Sequence, residues 1–456
     1  MSMLAGLLGL WWLATVGLLL GSAGLACRPP QSLQPWLKWR GRHLFLRGRA
    51  FENVGLATST MAEVAVEVDT PISILVPLRQ ETEAENEANA ALSELDYPVY
   101  EILFSVKRNP NEQGADPPPH EAEEVAHALV CARVGCGQEE AHPRASTVDS
   151  VPFPESILQA DHTPSDLAAL GHLPQLRGEG FEVAFIPTAP RPGWNPKLAN
   201  LVEPIAAAAH DLILVKDAAT LLPPRALRAM AAALGPGIGL VSAIPIARRP
   251  CGFPAQVEAA LVNTYGARML SAFSALGGGA GIGAAMLFRR GDLERAGGLA
   301  AIGAAIADDH ALAKLLAGQG LRTVLASATV DQMLGARRLP EIWSRHLRWA
   351  ICRRLEEPLV FMAEPFTGLA AACIASLGAA YSIGIPAAVM LLATFLLWLA
   401  AEILLAALRR WPLSFATPLA ILTRELAMPV LWLNALLARR IVWGAATIPA
   451  STRRRP

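Results

Sequence analysis

The stretch that decides the fold is "HDLILVKDAAT", residues 210–220. Leu212 to Val215 form an unbroken apolar run, and Lys216 and Asp217 follow at once. A short run of this kind, without polar alternation, reads as a strand covered on both faces. A carboxylate at its carboxyl end reads as a group delivered to a crevice, because open α/β sheets bind ligands there. A solvated strand-end aspartate explains Asp217 equally simply, so the neighbouring sequence has to decide.

Outward from that strand the same pattern recurs. "PISILVPL" (71–78), "YEILFSV" (100–106), "EVAFIP" (182–187) and "IGLVSAIPI" (238–246) read as further strands. "ETEAENEANAALSEL" reads as a helix with an acidic first turn, and "PPRALRAMAAAL" as a helix with prolines set at its start. Strands alternating with helices predict an α/β unit over 68–335 built on a mostly parallel sheet. A long Pro-, Glu- and His-containing insertion, about 107–180, interrupts it, with a possible helix at 120–134.

The 456 residues exceed one ordinary domain, and only 17% are charged. Mean hydropathy is +0.36, which is apolar for a purely soluble enzyme. Residues 1–27 carry no charged side chain, enough at about 1.5 Å per residue to cross a hydrocarbon core. A signal peptide would want a basic start, which is missing, so this is read as an uncleaved anchor. The basic linker 28–67 that follows places the α/β unit in the cytoplasm by the positive-inside rule. An amphipathic, interfacial helix is expected at 336–358. Apolar segments fill 359–440, with helices near 365–385 and 387–408. A third segment, 416–438, holds Arg424, Glu425 and Pro429, and polar residues at such depth face a cavity or a partner. The basic tail, 441–456, favours the cytoplasm, which argues for a re-entrant or interfacial last segment. The chain therefore reads as an integral membrane protein, of bacterial inner-membrane type. Zero net charge and no basic aromatic patch give no sign of nucleic-acid binding. Six scattered cysteines without a CxxC pair read as free thiols.

Three further motifs bear on chemistry. "WNPKLANL" (194–201) places Lys197 in a turn that opens a helix. "IADDHALAKLL" (306–316) sets Asp308 and Asp309 before a helix; a cap and first-turn acid explain one of them, and the pair could supply a general base. "RHLRW" (345–349) clusters Arg345, Arg348 and Trp349 before the apolar segments. An amphipathic helix on an anionic membrane surface explains it, and so does guanidinium binding of a diphosphate. The glycine-rich "LGGGAGIGAAM" (276–286) lacks GK[ST] and is no P-loop; it permits close backbone approach.

In order and spacing, "ISILVPL", "LDYPVYEILFSV", "NPKLANL", "HDLILVKDAA", "GIGAAMLFRRGDLERAGGL", "IADDHALAKLL", "RHLRW" and "EPF" resemble one family across nearly the whole chain. The chain resembles the inverting membrane glycosyltransferases of families 2 and 21, in the ceramide glucosyltransferase branch, with the hopanoid-pathway glycosyltransferases as near relatives. The resemblance implies a GT-A fold and transfer of a hexose, UDP-glucose being the implied donor, to a membrane lipid such as ceramide. Transfer of a GlcNAc-type sugar to a phospholipid, and a catalytically impaired relative, stay open. By the same resemblance Asp217 binds a divalent cation, Mg2+ or Mn2+, and Asp309 is the catalytic base with Asp308 beside it. Lys197, Arg345, Arg348 and Trp349 then lie near the donor diphosphate, and Pro77 closes the strand that holds the uridine. The family's first aspartate motif is missing: Arg108 occupies that position, where it could meet phosphate, and Asp116 lies further on.

Overall fold

Strand β1 (Ile72–Pro77) is buried along its whole length, as is β5 (Leu212–Lys216), and the two run parallel with Leu75 opposite Val215. The coordinates are a computed structural model that describes residues 2–27, 70–78, 83–107, 176–178, 181–443 and 446–449. In chain order the principal elements begin with α1 (Ser2–Cys27), β1, α2 (Glu83–Ala90), β2 (Tyr100–Lys107), β3 (Leu176–Gly178), β4 (Phe181–Thr188) and α3 (Pro196–Ala199). After β5 come β6 (Thr220–Leu221), α4 (Ala226–Ala233), β7 (Ile238–Cys251), α5 (Gly252–Ala260), β8 (Ala285–Arg289), α6 (Asp308–Ala317) and β9 (Arg322–Ala336). The chain ends in helices α7 (Leu339–Glu356), α8 (Leu369–Ile383), α9 (Ala387–Leu408) and α10 (Thr417–Leu437).

These elements fall into two compact units. A sheet unit comprises the described residues of Val66–Pro245 and Ala280–Met333, and a helical unit those of Met1–Ala65, Ile246–Gly279 and Leu334–Thr452. The sheet has nine strands among the described residues, in the order β3-β4-β2-β1-β5-β8-β7-β9-β6. Successive residues feed opposite cores. Ile72, Ile74, Val76, Leu212 and Leu214 pack on one face, and Leu75, Ile213, Val215, Leu240 and Phe288 on the other. Burial on both faces is why these strands show no alternation in sequence.

The expected α/β unit is present, but its sheet is mixed rather than mostly parallel. Strands β4, β2, β1 and β5 are parallel neighbours, whereas β8 enters antiparallel between β5 and β7. Strand β3 pairs antiparallel with β4, and β6 with β9. Strand β8 follows directly on the glycine-rich run, whose lack of periodicity hides the strand start. The 120–134 helix and Asp116 lie outside the described residues.

In the helical unit, α1 spans the expected anchor. Three helical stretches, Leu8–Ala26, Ala387–Leu408 and Thr417–Leu437, are long and apolar enough to cross a membrane. The helix expected near 365–385 is present as α8, Leu369–Ile383, and a second helical segment, Pro358–Phe366, precedes it at a bend of 52°. The segment expected to be re-entrant or interfacial is a continuous helix, α10, with Pro429 inside it. Its charges are paired: Arg424 lies 3.0 Å from Glu402 on α9 and also contacts Glu425. Helix α8 is rich in small residues where it meets α1; a Cβ at Gly378 would collide with Leu8. Such small residues let helix backbones approach closely. Cys251, Cys352 and Cys373 are free thiols.

Candidate functional site

Four of the residues singled out in the sequence meet in the sheet unit. Asp217 follows β5 directly, and its backbone N–H donates to Ala284 O at 3.0 Å, beside the start of β8. Counting two residues on from the Leu75–Val215 pair puts Pro77 and Asp217 at the same end of adjacent parallel strands. Pro77 is buried there opposite Ser105 of β2. Arg108, three residues past Ser105, lies outside the described residues.

Lys197 reaches this end from α3. Asn195 caps that short helix by accepting from Lys197 N at 2.9 Å, and Pro196 fits the first helical position. The Asn195 amide also donates to Ala305 O at 3.0 Å, tying the turn to the segment that leads into α6. The Lys197 ammonium, almost wholly buried, lies 2.8 Å from Asp217 Oδ1 and 3.1 Å from Asp308 Oδ2, and donates to Gly283 O at 2.9 Å. Burial pushes a lysine down, but Asp217, Asp308 and Asp309 outweigh it and hold Lys197 above its ordinary value.

Asp308 and Asp309 open α6, and neither is its cap, which falls on Ala307. Asp308 is buried against Lys197. Asp309 is half-buried and accepts two backbone N–H groups, from Gly283 at 3.0 Å and from His310 at 2.8 Å. Its carboxyl is pushed up to about 6 by burial and by the Asp308 charge, against the opposing pull of Lys197 and the two N–H donors. A carboxylate tuned toward neutrality suits a general base.

The glycine run does more than permit close backbone approach: it holds the cluster together. Gly283 accepts from Lys197 through its carbonyl and donates to Asp309 through its N–H. A Cβ at Gly281 would collide with the Asp309 backbone carbonyl. Lys216, the last residue of β5, carries no motif that marks it in the sequence. It is fully buried and donates to Asn89 Oδ1 at 2.9 Å and to Ala218 O at 3.2 Å. Burial pushes it down to about 7, against the charges of Asp217 and Glu85.

Among the described residues no group of three or more His, Cys, Asp or Glu side chains is arranged to hold a metal ion. The donor set still meets the lesser demand of Mg2+, which is held by one or two carboxylates with substrate phosphates and waters. Asp217 is the residue that fits: its side chain is 48% exposed, and Lys197 engages it through Oδ1.

Arg345, Arg348 and Trp349 belong to the helical unit, on α7. Arg345 lies 2.9 Å from the buried Glu258 of α5, and His346 Nε2 lies 3.4 Å from the same oxygen. Trp349 meets the His346 ring edge-on with centroids 4.8 Å apart, and is partly exposed. The signal that could have found Glu258 is a single acid in the apolar run "QVEAALV".

Comparison with known proteins places the chain among the glycosyltransferases. More narrowly, it belongs to glycosyl transferase family 21, whose family model matches residues 180–454, more than half of the chain. It is 25% identical over 262 residues to ceramide glucosyltransferase 1 of Caenorhabditis elegans, covering 55% of each chain. With ceramide glucosyltransferase 3 of the same organism it shares 24% over 259 residues, 55% of this chain and 56% of that one. The chain thus spans about half the length of the curated relatives it matches. Among solved structures it is similar to the mannosyltransferase PcManGT of Pyrobaculum calidifontis, in complex with GDP-Man and Mn2+. The TM-score is 0.40 at 15% identity, covering 91% of this chain and 99% of that one. It is also similar to glucosyl-3-phosphoglycerate synthase of Mycobacterium tuberculosis, in complex with Mg2+ and uridine diphosphate. There the TM-score is 0.29 at 14% identity, covering 64% and 80%.

Proposed function

We propose that this chain moves a hexose from a UDP-sugar, UDP-glucose in the first instance, to a hydroxyl of a membrane lipid such as ceramide, with inversion at the anomeric carbon. The observation that carries the reading is the convergence of Lys197, Asp217, Asp308 and Asp309 around Gly283 in a family 21 chain. Three helices long and apolar enough to cross a membrane favour a lipid acceptor. The α/β unit works on the cytoplasmic side of a bacterial-type inner membrane, as the basic residues after the first helix suggest.

In this reading Asp309 accepts the proton of the acceptor hydroxyl. The hydroxyl oxygen forms a bond to the anomeric carbon as the carbon–phosphate oxygen bond breaks on the opposite face. UDP leaves with that electron pair, and no covalent sugar–protein species forms. Asp217 would hold Mg2+ or Mn2+, which when bound offsets negative charge developing on the diphosphate. Lys197 pairs with Asp217 and Asp308 and orients both. Pro77 borders the nucleoside end, and Arg108, Arg345, Arg348 and Trp349 bind the donor.

The test is purified protein incubated with labelled UDP-sugars and a membrane lipid extract. A labelled glycolipid is expected, and Asp309→Asn should abolish it. Wild-type turnover that survives in the Asn variant would sink the assignment of the base. A polymeric product would overturn single transfer to lipid.

A further inference from the structure

Glu258 is a fully buried carboxylate on a helix that is otherwise apolar on its packed side. It faces three cationic or ionisable groups of the same unit. Arg345 Nη1 lies 2.9 Å and His346 Nε2 3.4 Å from Oε1, and Arg337 Nε lies 3.9 Å from Oε2. Of the two carboxylate oxygens, Oε1 accepts the Arg345 hydrogen bond, while buried Oε2 has no hydrogen-bond partner among the described residues. Burying such a group costs several kcal/mol per ion, and an apolar replacement of similar size is often neutral or stabilising. Glu258 is therefore poorly explained as a device for stability. Its geometry explains it better: one wholly enclosed carboxylate accepts from a guanidinium whose side chain is 24% exposed, and a buried imidazole lies 3.4 Å from the same oxygen. The imidazole in turn abuts the Trp349 ring.

We propose that Glu258 is a positioning residue, holding the Arg345 guanidinium and, through His346, the Trp349 ring in place for the diphosphate of a sugar nucleotide. This rests on the donor-binding reading of the arginine motif given above. Glu258 itself touches no ligand. It supplies the fixed anion that a partly exposed arginine needs if its fork is to meet phosphate without first losing side-chain freedom.

The experiment is calorimetric titration of the full-length, detergent-solubilised protein with UDP, for wild type, Glu258→Gln, Arg345→Met and the double variant, with thermal midpoints alongside. Glutamine keeps the shape and one hydrogen-bonding oxygen. Glu258→Gln is expected to keep the wild-type midpoint and to weaken UDP binding roughly tenfold, the size of one charge-assisted hydrogen bond. The double variant should bind no more weakly than Arg345→Met alone. Wild-type affinity in Glu258→Gln, or losses that add in the double variant, would overturn the proposal. If the Gln variant does not fold, Glu258→Asp decides. It keeps the charge but draws it back by one methylene, so undiminished affinity there overturns positioning. Wild type that binds UDP but transfers no sugar refutes the transfer reading alone, leaving the positioning claim to the affinities. Wild type without UDP affinity overturns both.

Discussion

Lys197 and Asp217 form a 2.8 Å ion pair between a helix that opens at Pro196 and the end of the strand that closes at Lys216. The ammonium also bonds Gly283 O and lies beside Asp308, so one side chain links three segments remote in sequence. Its removal leaves Asp308 buried opposite another acid. Lys197→Met is expected to destabilise the protein by about 3 kcal/mol, the low end for a broken buried pair because Asp217 is half exposed. Thermal or denaturant unfolding measures this. An unchanged midpoint would mean the pair is incidental.

The Asp309 carboxyl, pushed up to about 6, sets a pH dependence. Proton acceptance needs the ionised form, so kcat/KM should fall about tenfold per unit below a midpoint near 6. Stability runs the other way. A carboxyl raised from 3.8 binds its proton more tightly in the folded chain, so its contribution is present at low pH and lost as pH rises through 6. Asp309→Asn should therefore be inactive yet slightly more stable at neutral pH. Loss of stability in that variant would refute the sign of the shift.

Lys216 offers the opposite case. Burial lowers it to about 7 from 10.5, so between those values the unfolded chain binds a proton that the folded chain does not. Stability should rise with pH across that window. Lys216→Met, which removes the buried amine and keeps the length, is expected to raise the thermal midpoint at neutral pH. A lower midpoint would show that the hydrogen bonds to Asn89 and Ala218 outweigh the desolvation.

Two glycines of one loop should differ in tolerance. At Gly281 a Cβ meets the Asp309 backbone, which cannot yield without moving α6. At Gly283 it would lie 3.1 Å from Lys197 Nζ, the far end of a flexible side chain. Gly281→Ala is expected to abolish transfer and lower the melting point, and Gly283→Ala to reduce transfer partially. Equal effects in the two variants would show that the whole loop is rigid.

Much of this architecture was legible in the chain itself. Apolar runs fixed β1, β2, β4 and β5, because strands covered on both faces leave an unbroken signal. Pro196 after Asn195 marked a helix start, and the acids after β5 and at the start of α6 marked two segments that Lys197 brings together. Strand β8 was not legible as an antiparallel insertion, since strand direction depends on pairing and not on composition. The roles of Gly283 and Glu258 were hidden for a related reason. Each acts through partners dozens of residues away, through a backbone in one case and a buried oxygen in the other. The continuity of α10 was obscured by Arg424, whose compensating Glu402 sits on another helix.

That last pair bears on the order of assembly. Glu402 is fully enclosed and also accepts from Trp398 and Thr264, while Arg424 donates to Glu402 and Thr264. A ribosome releases α9 before α10, so the anion and its two hydrogen-bond donors are already made when the arginine emerges. Helix α10 can then settle against a waiting counter-ion on α9, which adds to the one that Glu425 already gives Arg424. The earlier helix thus acts as a template for the later one.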